Sequence, residues 1–190
     1  MLKEINTAFP FLSLLALLLT GCSTISTEPS PARPEDARNE GYSLLYDLAR
    51  KLKDVNKLLL VKKEQADVKD VIEEIARLMS DAERQLKEFA NDDPALNLKI
   101  QSLPRAEQKT RASIESARAK QLLLSSGQQF ELRLLLSQAE GLTYGTHLAR
   151  VLLQQEKDIR RKMFLEEFSR QGERLNDTVI HLLSSRMRPR

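Results

Sequence analysis

The sequence predicts an all-α protein, and three observations carry that expectation. Leu, Ala, Glu, Lys, Arg and Gln dominate a 190-residue chain with only 6 glycines, 7 prolines and 5 % aromatic residues, a composition that favours helix over sheet. Apolar residues recur at three- and four-residue intervals over four long stretches, as they do on one face of a helix. Short breaks separate the first pair of stretches and the second pair, while one long connection joins the pairs. The predicted fold is a four-helix bundle with a long helical crossover between helices two and three, preceded by a cleaved signal and a disordered tether.

The N-terminus comes first in the chain and differs from the rest. Met1–Asn6 carries Lys3 and Glu4, whose charges offset each other. Ala8–Leu19, "AFPFLSLLALLL", is a 12-residue apolar segment. It is too short to span a bilayer as a helix, which takes about 20 residues, but suits the apolar region of a secretory signal. The only cysteine, Cys22, follows directly, so an internal disulfide framework and a Cys-rich metal site are excluded.

Leu19-Thr20-Gly21-Cys22 resembles the lipobox of bacterial lipoprotein precursors: an aliphatic residue, two small residues and the cysteine, placed immediately after the apolar segment. The resemblance implies a lipid on the sulfur of Cys22, cleavage between Gly21 and Cys22, and acylation of the new N-terminus, with palmitate-type chains. One acyl chain holds a protein only marginally, whereas two or three anchor it stably. Ser23, not Asp, follows the cysteine. By family analogy this favours the outer membrane, facing the periplasm, over the inner membrane. The competing reading is an ordinary cleaved signal with an incidental cysteine.

Residues 22–39 are expected to form the lipidated N-terminus and a flexible tether. The stretch "STISTEPSPARPEDARN" is rich in Ser, Thr and Pro and too poor in apolar groups to fold, and Pro29, Pro31 and Pro34 would keep it extended. The division is therefore 1–21 signal, 22–39 tether and 40–190 helical bundle.

The first helix is expected from about Asp36 to Lys62, with Leu45, Leu48, Leu52, Val55 and Leu59 on one face. The second starts near Asp67, a good N-cap, and ends before Asn91-Asp92-Asp93-Pro94. Val68, Ile72, Ile75, Met79, Ala82, Leu86 and Phe89 form its stripe, with the heptad-like spacing of a bundle or coiled coil. The connection, residues 91–125, contains a helical stretch from Pro104 with Ile114, Ala117 and Leu122–Leu124. Ser126 with Gln129 reads as a capping box for the third long helix, which runs to about Gln155 with Leu135, Leu142, Ala149 and Leu152 inward. The last runs from about Asp158 to Ser185, with Leu165, Phe168, Leu175, Val179 and Leu182 inward.

Two helical hairpins joined by one long connector are similar in layout to the ferritin-like bundles. A simple up-down bundle stays open as the alternative. The ferritin-like likeness would imply a di-metal site built from inward Glu residues and two Glu-x-x-His motifs. Tyr144 and Thr178 stand three residues before His147 and His181, the chain's two histidines, and the second helix has none. No metal site, cofactor or catalytic set is therefore expected: there is no Gly-rich phosphate loop, and Glu73-Glu74 and Glu166-Glu167 read as solvated helix faces.

The segment "QAEGLTYGTHLA" is the most unusual part of any helix. Gly141 and Gly145 allow close backbone approach, and Tyr144 and His147 add hydrogen-bonding groups, so the choice lies between a tight helix crossing and a ligand pocket. Arg186, Arg188 and Arg190 are expected in a frayed, solubilising tail or against anionic headgroups. The net charge of +3 is spread along the chain, which is no basis for nucleic-acid binding. The expected function is non-enzymatic: an interaction or scaffold protein of the cell envelope, held to the membrane through lipid on Cys22 and meeting an envelope protein partner. The alternative is a bundle that binds a ligand or metal in the Tyr144/His147 region.

Overall fold

A computed structural model describes residues 34–187 apart from 61, 63 and 100–102. The signal segment, Gly21, Cys22, Arg188 and Arg190 lie outside the described residues. Those described are helical, without a strand among them. The helices are α1 (Pro34–Leu52), α2 (Ala66–Asp92), α3 (Arg105–Leu124), α4 (Gly127–Gln155) and α5 (Ile159–Met187), and a 3₁₀ segment, Val55–Leu60, follows α1.

The apolar stripes become the core. All seven stripe residues of α2 are buried, as are Leu135, Leu142, Ala149 and Leu152 of α4 and Leu165, Phe168, Leu175, Val179 and Leu182 of α5. Tyr42, Leu45 and Ala49 bring α1 into the same cluster, and Phe164 meets Phe89 edge-on with ring centroids 5.5 Å apart. Cross-links fix the helix directions. Asn39 bonds the backbone of Ala95 and Lys53 pairs with Glu83, so α1 and α2 are antiparallel. Gly41 packs on Leu152 and Gly141 on Leu52, so α1 and α4 are antiparallel too. Asp67 meets Arg186 and Asp92 meets Arg160, which sets α5 antiparallel to α2. The start of α1 and the end of α5 consequently lie at opposite poles.

Several local expectations are corrected. Residues 34–39, assigned to the tether, are the first turns of α1, with Pro34 at its start, where a missing N–H costs nothing. The first helix does not continue to Lys62. It ends at Leu52 and tightens into the 3₁₀ segment, whose three-residue repeat turns Val55 and Leu58 to one side. Asp67 is not the N-cap of α2; Gln65 holds that position, and Asp67 in the first turn takes the Arg186 guanidinium instead. Ser126 makes no side-chain capping bond, so the expected capping box is absent; the turn into α4 relies on Gly127 at φ +53°, a left-handed conformation that glycine adopts freely. Asp158 does cap α5, its Oδ1 accepting the Arg161 N–H at 2.9 Å.

The frayed-tail expectation fails at Arg186. Its side chain is only 9 % exposed and donates to Glu131 (2.9 Å) and Asp67 (2.6 Å), joining the end of α5 to the starts of α4 and α2. A matching network closes the opposite pole. Tyr42 Oη donates to Glu156 Oε2 (2.6 Å), while Glu156 Oε1 accepts the backbone N–H groups of Lys157 and Asp158. Arg161 bonds both Glu156 and Asp93 (2.8 Å).

Candidate functional site

Helix α3 forms one wall of a groove. The bundle α1–α2–α5–α4 already closes its own core, and α3 lies outside it. None of its residues is buried: Ile114, Leu123 and Leu124 are 46 %, 56 % and 77 % exposed, and only Leu122 packs partly against the core. Its sequence explains this placement, because apolar residues are too few and too unevenly spaced to make a continuous stripe. Ion pairs hold it instead. Lys51 of α1 bonds Glu115, and Arg118 bonds Glu140 of α4 at 2.5 Å. Near the α3–α4 turn, Lys62 Nζ donates to the carbonyls of Leu123 and Ser125.

Beneath α3 runs a groove of about 610 Å³, lined mainly by Leu44, Leu48, Leu52, Val55 and Leu58 on one wall, α3 on the second and Gly141 and Tyr144 of α4 on the third. This volume lies in the ordinary range for small-molecule sites. Each charged side chain on the wall has a partner of opposite sign: Asp47 and Glu115 with Lys51, Asp54 with Lys57, Arg111 with Glu107, Arg118 with Glu140. Gln138, another lining residue, is incompletely paired. Gln138 is 2 % exposed; its Nε2 reaches Ser137 Oγ at 3.1 Å, but its Oε1 is buried without a donor. Leaving such an acceptor unsatisfied costs about 1–3 kcal/mol.

The structure separates the two residues expected to form a pocket. Tyr144 lines the groove at 39 % exposure, whereas His147 is exposed and lies outside it. The two glycines serve helix crossing. A Cβ on Gly145 would stand 2.7 Å from Leu48, and one on Gly141 2.7 Å from Leu52, so their absence lets α1 leucines settle onto α4. Gln138, Lys51, Glu115 and Arg118 were not singled out by sequence. The only signal that pointed towards them was the weak apolar pattern of α3, which marks a helix seated by charge.

Two carboxyls hold their charge strongly. Burial opposes ionisation of Glu156, but the Tyr42 hydroxyl, two backbone N–H groups and Arg161 outweigh it and bring its pKa down to about 2. The same burial and contact push the Tyr42 phenol well up. Glu83 is held below the usual carboxylate range by Lys53 and Lys87, both within 2.7 Å. These groups brace helices and do not line the groove.

Among the described residues, no group of three or more His, Cys, Asp or Glu converges as metal ligands would. None of the described helices is long and apolar enough to cross a membrane. No protein-family model matches the chain, and no match was found among curated proteins or solved structures.

Proposed function

We propose that this protein is a lipid-anchored, non-catalytic binding module of a bacterial cell envelope, held by Cys22 and presenting the α1/α3/α4 groove to its partner. The observation that carries the reading is α3. A 20-residue helix with no buried residue adds little to the core, yet it forms a wall of a largely apolar groove. The lipobox-like Leu19-Thr20-Gly21-Cys22 supports the anchor, and Ser23 favours the outer membrane.

The layout we propose is ferritin-like, with α3 in the crossover between the hairpins α1–α2 and α4–α5. Its support is the shared direction of α2 and α4, each antiparallel to α1. In that arrangement the Arg186 pole faces away from the anchoring membrane. The stretch from Cys22 to Arg33, fully extended, reaches at most about 40 Å, so the domain would stay near the bilayer surface.

Fractionation of cells expressing the parent or Cys22→Ala protein, followed by crosslinking and pull-down from the native envelope, tests the proposal. Parent protein in the membrane fraction, mutant protein released from it, and a partner recovered only with the parent are expected. Membrane retention of an identically processed Cys22→Ala protein would refute the anchor, and recovery of no partner counts against the interaction role.

A further inference from the structure

Helix α3 is the most basic element of the fold. Five cations and two carboxylates give its 20 residues a net charge of +3, equal to the formal net charge of the whole chain. Helix α2, which packs against α1 and α5 on the other side of the bundle, has four cations and eight carboxylates, a net −4. The domain therefore has a positive side at α3 and a negative side at α2, and such a separation orients a body in front of a charged surface.

The charges of α3 divide by face. Arg111, Glu115 and Arg118 line the groove and are neutralised there by Glu107, Lys51 and Glu140. Arg105, Lys109, Ala112, Ser116, Lys120 and Leu123 follow one another at steps of three and four residues, which makes a single stripe along the helix. None of these six lines the groove, and all are exposed. Among the described residues, Arg105, Lys109 and Lys120 take part in no ion pair; the pairs of α3 are those just named. The three cations span about 22 Å of helix. Leu123 and Leu124, the most exposed leucines of the helix, stand at its end. Unpaired cations along one face with leucines beside them match a surface that offers phosphates outside and hydrocarbon beneath.

We propose that this outward stripe docks the domain on an anionic phospholipid bilayer, Arg105, Lys109 and Lys120 meeting headgroup phosphates and Leu123 and Leu124 entering the acyl boundary. This rests on the membrane-anchored half of the proposed function, because the stretch from Cys22 to Arg33 keeps the start of α1 within about 40 Å of the bilayer. Helix α3 runs parallel to α1, as the contacts Lys51–Glu115 and Lys62–Leu123 require, so its Arg105 end lies at that same pole. The domain leans onto α3 with the Arg105 end foremost, and the groove lies on the other side of the helix.

The test uses the full chain carrying Cys22→Ala, which removes its only cysteine. A polarity-sensitive fluorophore is attached through Ser116→Cys on the stripe or through Ser80→Cys on α2, both exposed positions. Vesicles are of phosphatidylcholine alone or mixed in equal parts with phosphatidylglycerol. The probe at 116 is expected to shift to the blue with phosphatidylglycerol vesicles only, and the probe at 80 with neither. Reading a single site separates contact by α3 from any contact made by the N-terminal segment. Lys109→Gln with Lys120→Gln is expected to raise the lipid concentration for half-response about twenty-five-fold, about fivefold for each cation near an anionic surface. Both positions lie on a helix that buries nothing, so the circular dichroism is expected to stay unchanged. No shift at 116, an equal shift with phosphatidylcholine alone, an equal shift at 80, or an undiminished response after the lysine substitutions would each overturn the proposal. So would a shift at 116 given by polyglutamate and not by vesicles, the result expected of an acidic protein partner. The assayed chain has no lipid at position 22, so failure here leaves the lipoprotein reading standing. Fractionation of Cys22→Ala in high salt, which screens the α3 contact, tests that reading by itself.

Discussion

Replacing Glu156 by Gln removes the charge at the centre of the Tyr42–Glu156–Arg161 clamp. The carboxylate is fully buried on the side-chain scale and titrates near 2, against an ordinary value of 4.5. A depressed carboxylate pKa contributes stability that is fully present above the unfolded value and is lost as pH falls towards the folded one. A difference of about 2.5 units at 1.36 kcal/mol each makes this about 3 kcal/mol, lost between about pH 5 and pH 2. Glu156→Gln also leaves Arg161, 11 % exposed, with Asp93 as its remaining carboxylate. Breaking a buried pair in this way costs about 3–5 kcal/mol, and the Asp93 contact places the expectation at the lower end. Urea unfolding followed by far-ultraviolet circular dichroism, from pH 7 down to pH 2, reads both effects. At neutral pH the variant should be about 3 kcal/mol less stable than the parent, and the gap should close on acidification. Equal stability at neutral pH, or a gap that persists at pH 2, would refute the reasoning.

Other outcomes follow from the same packing. Tyr42→Phe should cost about 1.5–3 kcal/mol by equilibrium unfolding, since it deletes a hydrogen bond to a charged group. In the parent, the raised Tyr42 pKa means stability held below pH 10 and lost above it, and that alkaline loss should shrink in Tyr42→Phe. Arg186→Met, which strands Glu131 at 5 % side-chain exposure, should destabilise by about 3 kcal/mol and lower the melting temperature; a frayed residue would give no change. Gly145→Val should cost about 1–3 kcal/mol through collision with Leu48 and Phe168. Ile114→Ser on α3 should stay within about 0.5 kcal/mol of the parent, whereas Ile75→Ala in α2 should cost about 2–5 kcal/mol, both by urea titration.

The stripes were legible because burial follows spacing: Ile72, Ile75, Met79 and Leu86 repeat as a helix face and are fully buried. The start of the last helix near Asp158 was legible too, and the structure adds that its carboxylate caps α5. The reading of Ser126 failed because its hydroxyl makes no capping bond and Gly127 governs the turn. The connector helix was legible as a helix, but its apolar residues Leu123 and Leu124 stay exposed because the other four helices bury the core without it. The clamps were beyond sequence reasoning. Tyr42 and Glu156 are 114 positions apart, and Glu131 and Arg186 are 55 apart, so only the finished topology joins them. Gln138 looked like any helix glutamine, and only the folded chain shows it buried with its Oε1 unpaired.

The central claim is that the α1/α3/α4 groove is the binding surface of a membrane-anchored domain. A photo-reactive residue at Ala119, inside the groove, can be compared in the native envelope with one at Ile180 on α5, away from it. The account predicts a defined adduct from Ala119 that disappears when Cys22→Ala releases the protein, and none from Ile180. Equal labelling from both positions, or an Ile180 adduct alone, would contradict it.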